Sequence, residues 1–358
     1  MTATLVPVDD PAGLTTGWVE AALREAGFDV SVSGVEAEPV GTGQMSVSLR
    51  VRFRHEPETS GVPETLIVKI PSPNRDIRQL VSPGYRAEIA FYRELAPTVA
   101  VRAPRCHLAV ANDDASSFTL LLEDLAPAVP GDQIAGATVE AVASAARNLA
   151  GLHGPRWCDP SLRGASWVQP SSRGAHRFTA DLVARALPQL AERLGPALSD
   201  RDRGTLEDAA GVLASFLDAR PERFAPIHGD YRLDNLLFGP GGEVAAVDWQ
   251  TLDVGLPARD LGYLLGTCLD VGDRRAAEAD LVEAYCVELA RHGVEDYSAS
   301  ACFDDYGLGL LQCPLIIVLG AAYGTQTERG DAMFAAMIVR SCAAIRDLGS
   351  IALAQALA

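Results

Sequence analysis

His228-Gly229-Asp230-Tyr231-Arg232-Leu233-Asp234-Asn235 sets a carboxylate and an amide five residues apart, in a segment without helical or strand periodicity. An irregular loop there projects Asp230 and Asn235 into one cleft. The apolar run Leu236-Leu237-Phe238 follows, then a glycine turn over 239–242, then a strand over 243–247 that delivers Asp248 at its end. A carboxylate at a strand end, beside a loop carrying Asp and Asn, offers hard oxygens in a number that suits magnesium, which keeps several of its waters. Phosphoryl transfer to an alcohol asks for such a set: oxygen ligands for a metal on the phosphates, a cation to offset phosphate charge, and a carboxylate to take the proton of the attacking hydroxyl.

Upstream of this patch the chain changes character twice. Residues 45–53 alternate Val47, Leu49, Val51 and Phe53 against Ser46, Ser48, Arg50 and Arg52, which predicts a half-buried strand, and Gly41-Thr42-Gly43 just before it predicts a turn. A second strand is expected over 65–70, stopped by Pro71, and a helix over 84–96 on the spacing of Tyr85, Ile89, Tyr92 and Leu95. A continuous apolar strand over 117–122 ends at Glu123-Asp124-Leu125, and Pro127, Pro130 and Gly131 predict a linker. Beyond it the chain reads as helical, at 138–153 with Thr138 as N-cap, at 177–194, at 205–219 and from 258 onward.

Lys69 is the only lysine, and every other member of the 30 Lys+Arg residues is arginine. In so lysine-averse a composition a generic charge would be arginine; a compact ammonium near a strand end suits a pair of phosphates.

The composition narrows the classes. At 358 residues with 48% hydrophobic content, the chain can bury the core of two lobes. A formal charge of −17 argues against nucleic acid as a partner, because phosphate binding needs clustered Lys and Arg. The acidity reads as a solvated surface and leaves a cationic substrate open. Seven cysteines, odd in number and without CxxC pairs, predict neither a zinc site nor a disulfide framework and fit a reducing cytoplasm. Residues 1–11 lack the basic-then-apolar order of a signal peptide. The apolar run 307–323 contains Gln312 and Pro314 and falls short of a membrane span of about 20 apolar residues, so a buried helix kinked at the proline is expected.

His228-Gly229-Asp230 with Asn235, followed by Asp248, resembles the catalytic and metal loops of the aminoglycoside phosphotransferase family, and the upstream elements match that family in order. The resemblance implies an α+β, two-lobed protein-kinase-like fold: an N-terminal lobe over 1–125 with an antiparallel sheet and one helix, and a larger, mainly helical C-terminal lobe over 126–358. It implies ATP, or GTP, with Mg²⁺, and a small molecule bearing the accepting hydroxyl. By position, Asp230 becomes the base, Asn235 and Asp248 the metal ligands, Lys69 the clamp on the α- and β-phosphates, and Glu88 its carboxylate partner. Leu122 to Leu125, with Glu123 and Leu125 as contacts, resembles the hinge that meets the adenine edge through backbone groups. Gly41 and Gly43 resemble the phosphate-covering turn but lack the Gly-x-Gly-x-x-Gly spacing, so a plain hairpin turn is the other reading.

Asp248-Trp249-Gln250 stands where protein kinases carry Asp-Phe-Gly, and no segment resembles an activation loop; both weigh against a protein kinase. A nucleotide-binding regulatory module without catalysis is the alternative from another class, and the filled polar roles weigh against it. His228 and His153 read as structural histidines, Asp260 as a tie on the loop or a simple helix cap, and Asp234 is given no chemistry. A polycationic acceptor would need clustered carboxylates, for which Asp270, Asp273, Glu283, Asp304 and Asp305 are candidates. The apolar 303–323 stretch, and a likeness around Tyr85 to Glu88 and Leu121 to Leu125 to the branch of ecdysteroid and choline kinases, imply a less polar alcohol instead.

Overall fold

The period-two patterning of the first third becomes a five-stranded sheet. The computed structural model describes residues 5–41, 45–57, 61–168 and 172–357. Helix α1 (Thr16–Glu25) starts at Thr15, whose hydroxyl accepts from the N–H of Trp18. Strands β1 (Ser31–Val40), β2 (Ser46–Glu56) and β3 (Thr65–Pro71) lead to helix α2 (Arg75–Ala90), and β4 (Cys106–Ala111) and β5 (Phe118–Glu123) follow. All pairings are antiparallel, in the order β1-β2-β3-β5-β4. Leu66, Val68 and Ile70 of the central strand face a core shared with Val19, Leu23, Leu49 and Val51. Alternation therefore turns Lys69 to the opposite face.

Helix α2 begins nine residues before the expected start at 84. Asn74 caps it, accepting from the N–H groups of Asp76 and Ile77, and Pro83 lies inside it. An interior proline is a breaker in sequence, so the first half of the helix was not legible. A π-helical turn, Phe91–Leu95, continues it.

The rest is mainly helical: α3 (Val139–His153), α4 (Arg173–Leu194), α5 (Asp200–Leu217), α6 (Ala258–Cys268), α7 (Val271–Arg291), α8 (Ala299–Gly309), α9 (Gln312–Tyr323), α10 (Glu328–Asp347) and α11 (Ser350–Gln355). Short strands punctuate it. β6 (Val129–Pro130), β8 (Leu236–Phe238) and β9 (Val244–Ala246) form one small sheet, and β7 (Ala225–Ile227) pairs with β10 (Asp253–Gly255). The stretch expected to be a linker thus carries β6. The helical core gathers Val183, Leu190, Leu213, Leu308, Ile317, Met337 and Ile338. Helices α6 and α8 meet backbone to backbone: a Cβ on Gly309 would lie 1.9 Å from the carbonyl oxygen of Ala258.

Ala299–Tyr323 is long and apolar enough to cross a membrane by length and composition, and 72% of its apolar window is buried inside the fold. It is also divided. The break falls at Leu310 and Leu311, while Pro314 sits in the first turn of α9, where its missing N–H costs nothing, so the kink expected at the proline is instead a gap before it.

By its contacts the chain divides into two compact units. The first is Met1–Pro97, Ala103–Ala126 and Asp248–Thr251; the second is Thr98–Arg102, Pro127–Val247 and Leu252–Ala358. Asp248, Trp249 and Gln250 thus group with the sheet unit, although the chain reaches them through the helical one.

Candidate active site

In the sheet unit, Lys69 lies between Ser48 and Leu120 in register and is 7% exposed. Its ammonium donates to Glu88 Oε1 at 2.8 Å and to Asp248 Oδ1 at 2.9 Å, with Glu88 Oε2 at 2.7 Å. Burial works against the charge of Lys69, yet Asp248 and Glu88 overcome it and hold the ammonium above the usual lysine range. Burial pushes the Glu88 carboxyl up from its ordinary value, with Lys69 pulling the other way.

Helix α2 and its π-turn seat the Asp248–Gln250 segment through three residues on one face. Gly84 comes so close that a Cβ would stand 3.0 Å from the carbonyl oxygen of Gln250. One turn on, Glu88 accepts from Gln250 Nε2 at 3.2 Å, and the same amide donates to Ser46 Oγ at 3.2 Å. Phe91 then stacks on Trp249, with centroids 3.5 Å apart and planes at 7°. Asp248 itself has φ 66°, a left-handed conformation that aspartate tolerates better than most residues and that is sustained only where the surroundings fix it. Glu123 closes β5 and gives its N–H to the carbonyl of Arg105, and Leu125 follows, half-buried. Asp124 between them accepts from Arg50, Thr65 and the N–H of Ala126; burial favours its neutral form, but these donors hold its carboxyl below the usual range. Gly41 is exposed with φ 75°, and Thr42, Gly43 and Gln44 lie outside the described residues.

In the helical unit the loop 228–235 hangs on one buried carboxylate. Asp260, 0% exposed, accepts from the N–H of His228 at 2.6 Å and of Gly229 at 2.9 Å, and His153 Nε2 stands at 3.2 Å. A carboxylate only accepts, so His153 donates to it from Nε2, while its Nδ1 lies 2.6 Å from the Tyr285 hydroxyl. Burial pushes the Asp260 carboxyl up, and His153 and these donors more than reverse it. Asp260 is therefore a tie on the loop and not merely a cap. Gly229 has φ 82°, which a side chain would strain. His228 donates from Nε2 to Val247 O at 3.1 Å and accepts at Nδ1 from the N–H of Asp230 at 3.3 Å, so both ring nitrogens serve the loop. Tyr231 and Leu233 point inward: the Tyr231 hydroxyl donates to Ala145 O, and the Leu233 N–H donates to Gln133 Oε1.

The intervening residues point the other way. Asp230 is gripped by Asn235, whose Nδ2 donates to its carbonyl at 2.9 Å and to its Oδ2 at 2.8 Å, and by Arg232, whose Nε lies 3.1 and 3.2 Å from the two carboxylate oxygens. With Nδ2 so engaged, Asn235 turns its Oδ1 away from Asp230. The N–H of Val247 donates to Asn235 O at 3.0 Å, and the turn at Gly242 closes the β8–β9 hairpin before Asp248. Asp234 accepts from Arg232, Arg329 and the N–H of Gln133. In the sequence no role is assigned to Arg232, Gln133, Gln250 or Arg329, and each acts on a partner fixed by the fold.

Among the carboxylates considered for a cationic acceptor, Asp305 is fully buried, with Arg220, Arg223 and the Tyr297 hydroxyl on it, and Asp270 pairs with Arg340. Among the described residues no group of three or more His, Cys, Asp or Glu is arranged to hold a metal.

A family model described as the phosphotransferase enzyme family matches residues 46–297, most of the chain, including Lys69, Glu88, Glu123, Leu125, Asp230, Asn235, Asp248 and Asp260 but not Gly41, Gly43, Asp305, Arg329 or Arg340. The chain belongs to this phosphotransferase family. Solved structures carry the same protein-kinase-like fold. A choline kinase from Cryptosporidium parvum superposes with a TM-score of 0.58 at 11% identity, over 89% of this chain and 91% of that one. An ethanolamine kinase from Plasmodium vivax gives 0.53 at 12%, over 86% and 81%. No curated protein matches by sequence. The family and the α+β protein-kinase-like fold expected from the His-Gly-Asp loop are thereby borne out.

Proposed function

We propose that this phosphotransferase moves the γ-phosphoryl group of ATP onto a hydroxyl of a small molecule, with Asp230 as base. The observation that carries the reading is Asp230 itself, a carboxylate aimed by Asn235 and Arg232 in a loop suspended from buried Asp260. Asp230 takes the proton of the attacking hydroxyl, whose oxygen forms the new bond to phosphorus while the β,γ-bridging oxygen leaves with ADP. Lys69, kept charged by Glu88, binds the α- and β-phosphates. Asn235 Oδ1 and the Asp248 carboxylate would hold Mg²⁺, and these oxygen donors are of the kind that ion takes. A bound Mg²⁺ would offset charge on the phosphates. On this reading residues 1–125 serve as the nucleotide-binding lobe, with Glu123, Leu125, Gly41 and Gly43 assigned to nucleotide binding, and 126–358 as the catalytic lobe.

The pairing of Asp270 and Asp305 with arginines favours an acceptor without several ammonium groups, and the seven unpaired thiols suit a reducing compartment such as the cytoplasm. The test is a mass-spectrometric screen with ATP and magnesium over aminoglycosides, choline-like amines, sugars, steroids and hydroxyacyl compounds. An acceptor gaining a phosphoryl group from ATP supports the reading. Nucleotide bound with transfer to no acceptor and no ADP formed points to a non-catalytic nucleotide-binding module.

A further inference from the structure

Asp234 was given no role in the sequence, yet it is the most heavily engaged carboxylate near Asp230. It accepts from Arg232 Nη1 at 2.8 Å, from Arg329 Nη2 at 3.0 Å and Nη1 at 3.2 Å, and from the N–H of Gln133 at 3.1 Å. Arg232, 18% exposed, reaches Asp230 with Nε and Asp234 with Nη1, so one rigid guanidinium fixes the two carboxylates relative to each other. Arg329 comes from the first turn of α10, about a hundred residues later in the chain. A cation there runs against the helix dipole, whose N-terminal end is positive, and Glu328 and Asp331 beside it follow the usual preference. Its bidentate grip on Asp234 accounts for an arginine in that turn. The four groups alternate in sign, Asp230, Arg232, Asp234 and Arg329, and all belong to the helical unit.

We propose that Arg329 is a positioning residue: acting through Asp234 and Arg232, it fixes the orientation of the Asp230 carboxylate for proton abstraction. The proposal rests on Asp230 being the base. Without Arg329, each oxygen of Asp234 keeps one donor, the Gln133 N–H on Oδ1 and Arg232 Nη1 on Oδ2, but loses its second, so Asp234 holds Arg232 less rigidly. Catalysis is sensitive to such small misplacements. Folding is not, because Arg329 is 52% exposed and ion pairs at that exposure add little to stability.

The test compares wild type with Arg329→Ala, Arg329→Lys, Asp234→Asn and the double variant Arg329→Ala/Asp234→Asn. Turnover is followed as product with the acceptor from the screen, and as ADP formed with water as acceptor. For Arg329→Ala, kcat falls roughly tenfold to a hundredfold, with KM for ATP and for the acceptor within about twofold. The melting temperature stays within about 2 °C of wild type. Arg329→Lys recovers most of the loss, and the double variant is no slower than Asp234→Asn, as for residues in one relay. In parallel, nitrogen-15 NMR follows hydrogen exchange at the Arg232 Nε–H, which Arg329→Ala accelerates. Unchanged kcat in Arg329→Ala overturns the proposal, as does a rise confined to the acceptor KM, which would make Arg329 an acceptor-binding group. Should wild type form neither product nor ADP, the functional reading falls, and the exchange rate at Arg232 alone decides the relay: no acceleration in Arg329→Ala refutes it.

Discussion

Replacing Asp260 by asparagine changes one oxygen to an NH₂ group, and the structure sets what that costs. Oδ1 accepts from the Gly229 N–H and Oδ2 from the His228 N–H, with His153 Nε2 beside it. The least damaging orientation keeps the amide oxygen on His228 and His153 and turns NH₂ toward Gly229. One buried N–H then loses its acceptor, at about 1–3 kcal/mol, and two charge-assisted bonds become neutral ones, at about 1 kcal/mol each. The sum is roughly 3–5 kcal/mol, which for a unit of about 230 residues lowers the melting temperature by on the order of 10 °C. Thermal and urea melts of Asp260→Asn measure it, alongside kcat, which should fall because the loop that loses its anchor carries Asp230. The acid limb carries a second signature. The Asp260 carboxyl titrates below its ordinary value in the folded protein, so its contribution is present above the unfolded carboxylate pKa of about 3.9 and is lost as pH falls through the lower folded value. Wild type should therefore lose stability steeply below about pH 4, and Asp260→Asn should show a flatter acid limb. A melt within about 2 °C of wild type and an unchanged acid limb would refute the suspension of the loop from Asp260.

Lys69→Ala should abolish most of the thermal stabilisation by ATP with magnesium, since a ligand bound only by the folded state raises stability by mass action; an undiminished shift would contradict the phosphate-clamp role. Gly309→Ala should destabilise by more than about 3 kcal/mol, because the new methyl must displace the backbone of Ala258 rather than a side chain; a wild-type melt would show that α6 and α8 part easily.

The parts of the fold legible in the sequence are those written in local periodicity. The alternation over 45–53 became β2, the run 65–70 became β3, and the glycine turn before Asp248 became the β8–β9 hairpin. Illegible parts depend on partners far along the chain. Arg329 lies 95 residues from Asp234, and Gln250 lies 162 from Glu88. Asp248 is joined to Lys69 across 179 residues. Prolines misled in opposite ways: Pro83 hid the first half of α2, whereas Pro314 drew attention from the break just before it. Gln250 was noted only as a departure from glycine, although its amide links Ser46 to the carboxylate that holds Lys69.

The most direct test of the account is the steady-state rate of Asp230→Ala against wild type, with ATP, magnesium and the acceptor found in the screen. Loss of a positioned base predicts a fall in kcat of about 10²–10⁴, with ATP still bound. Turnover at the wild-type rate would show that Asp230 does not take the proton, and would contradict the account at its centre.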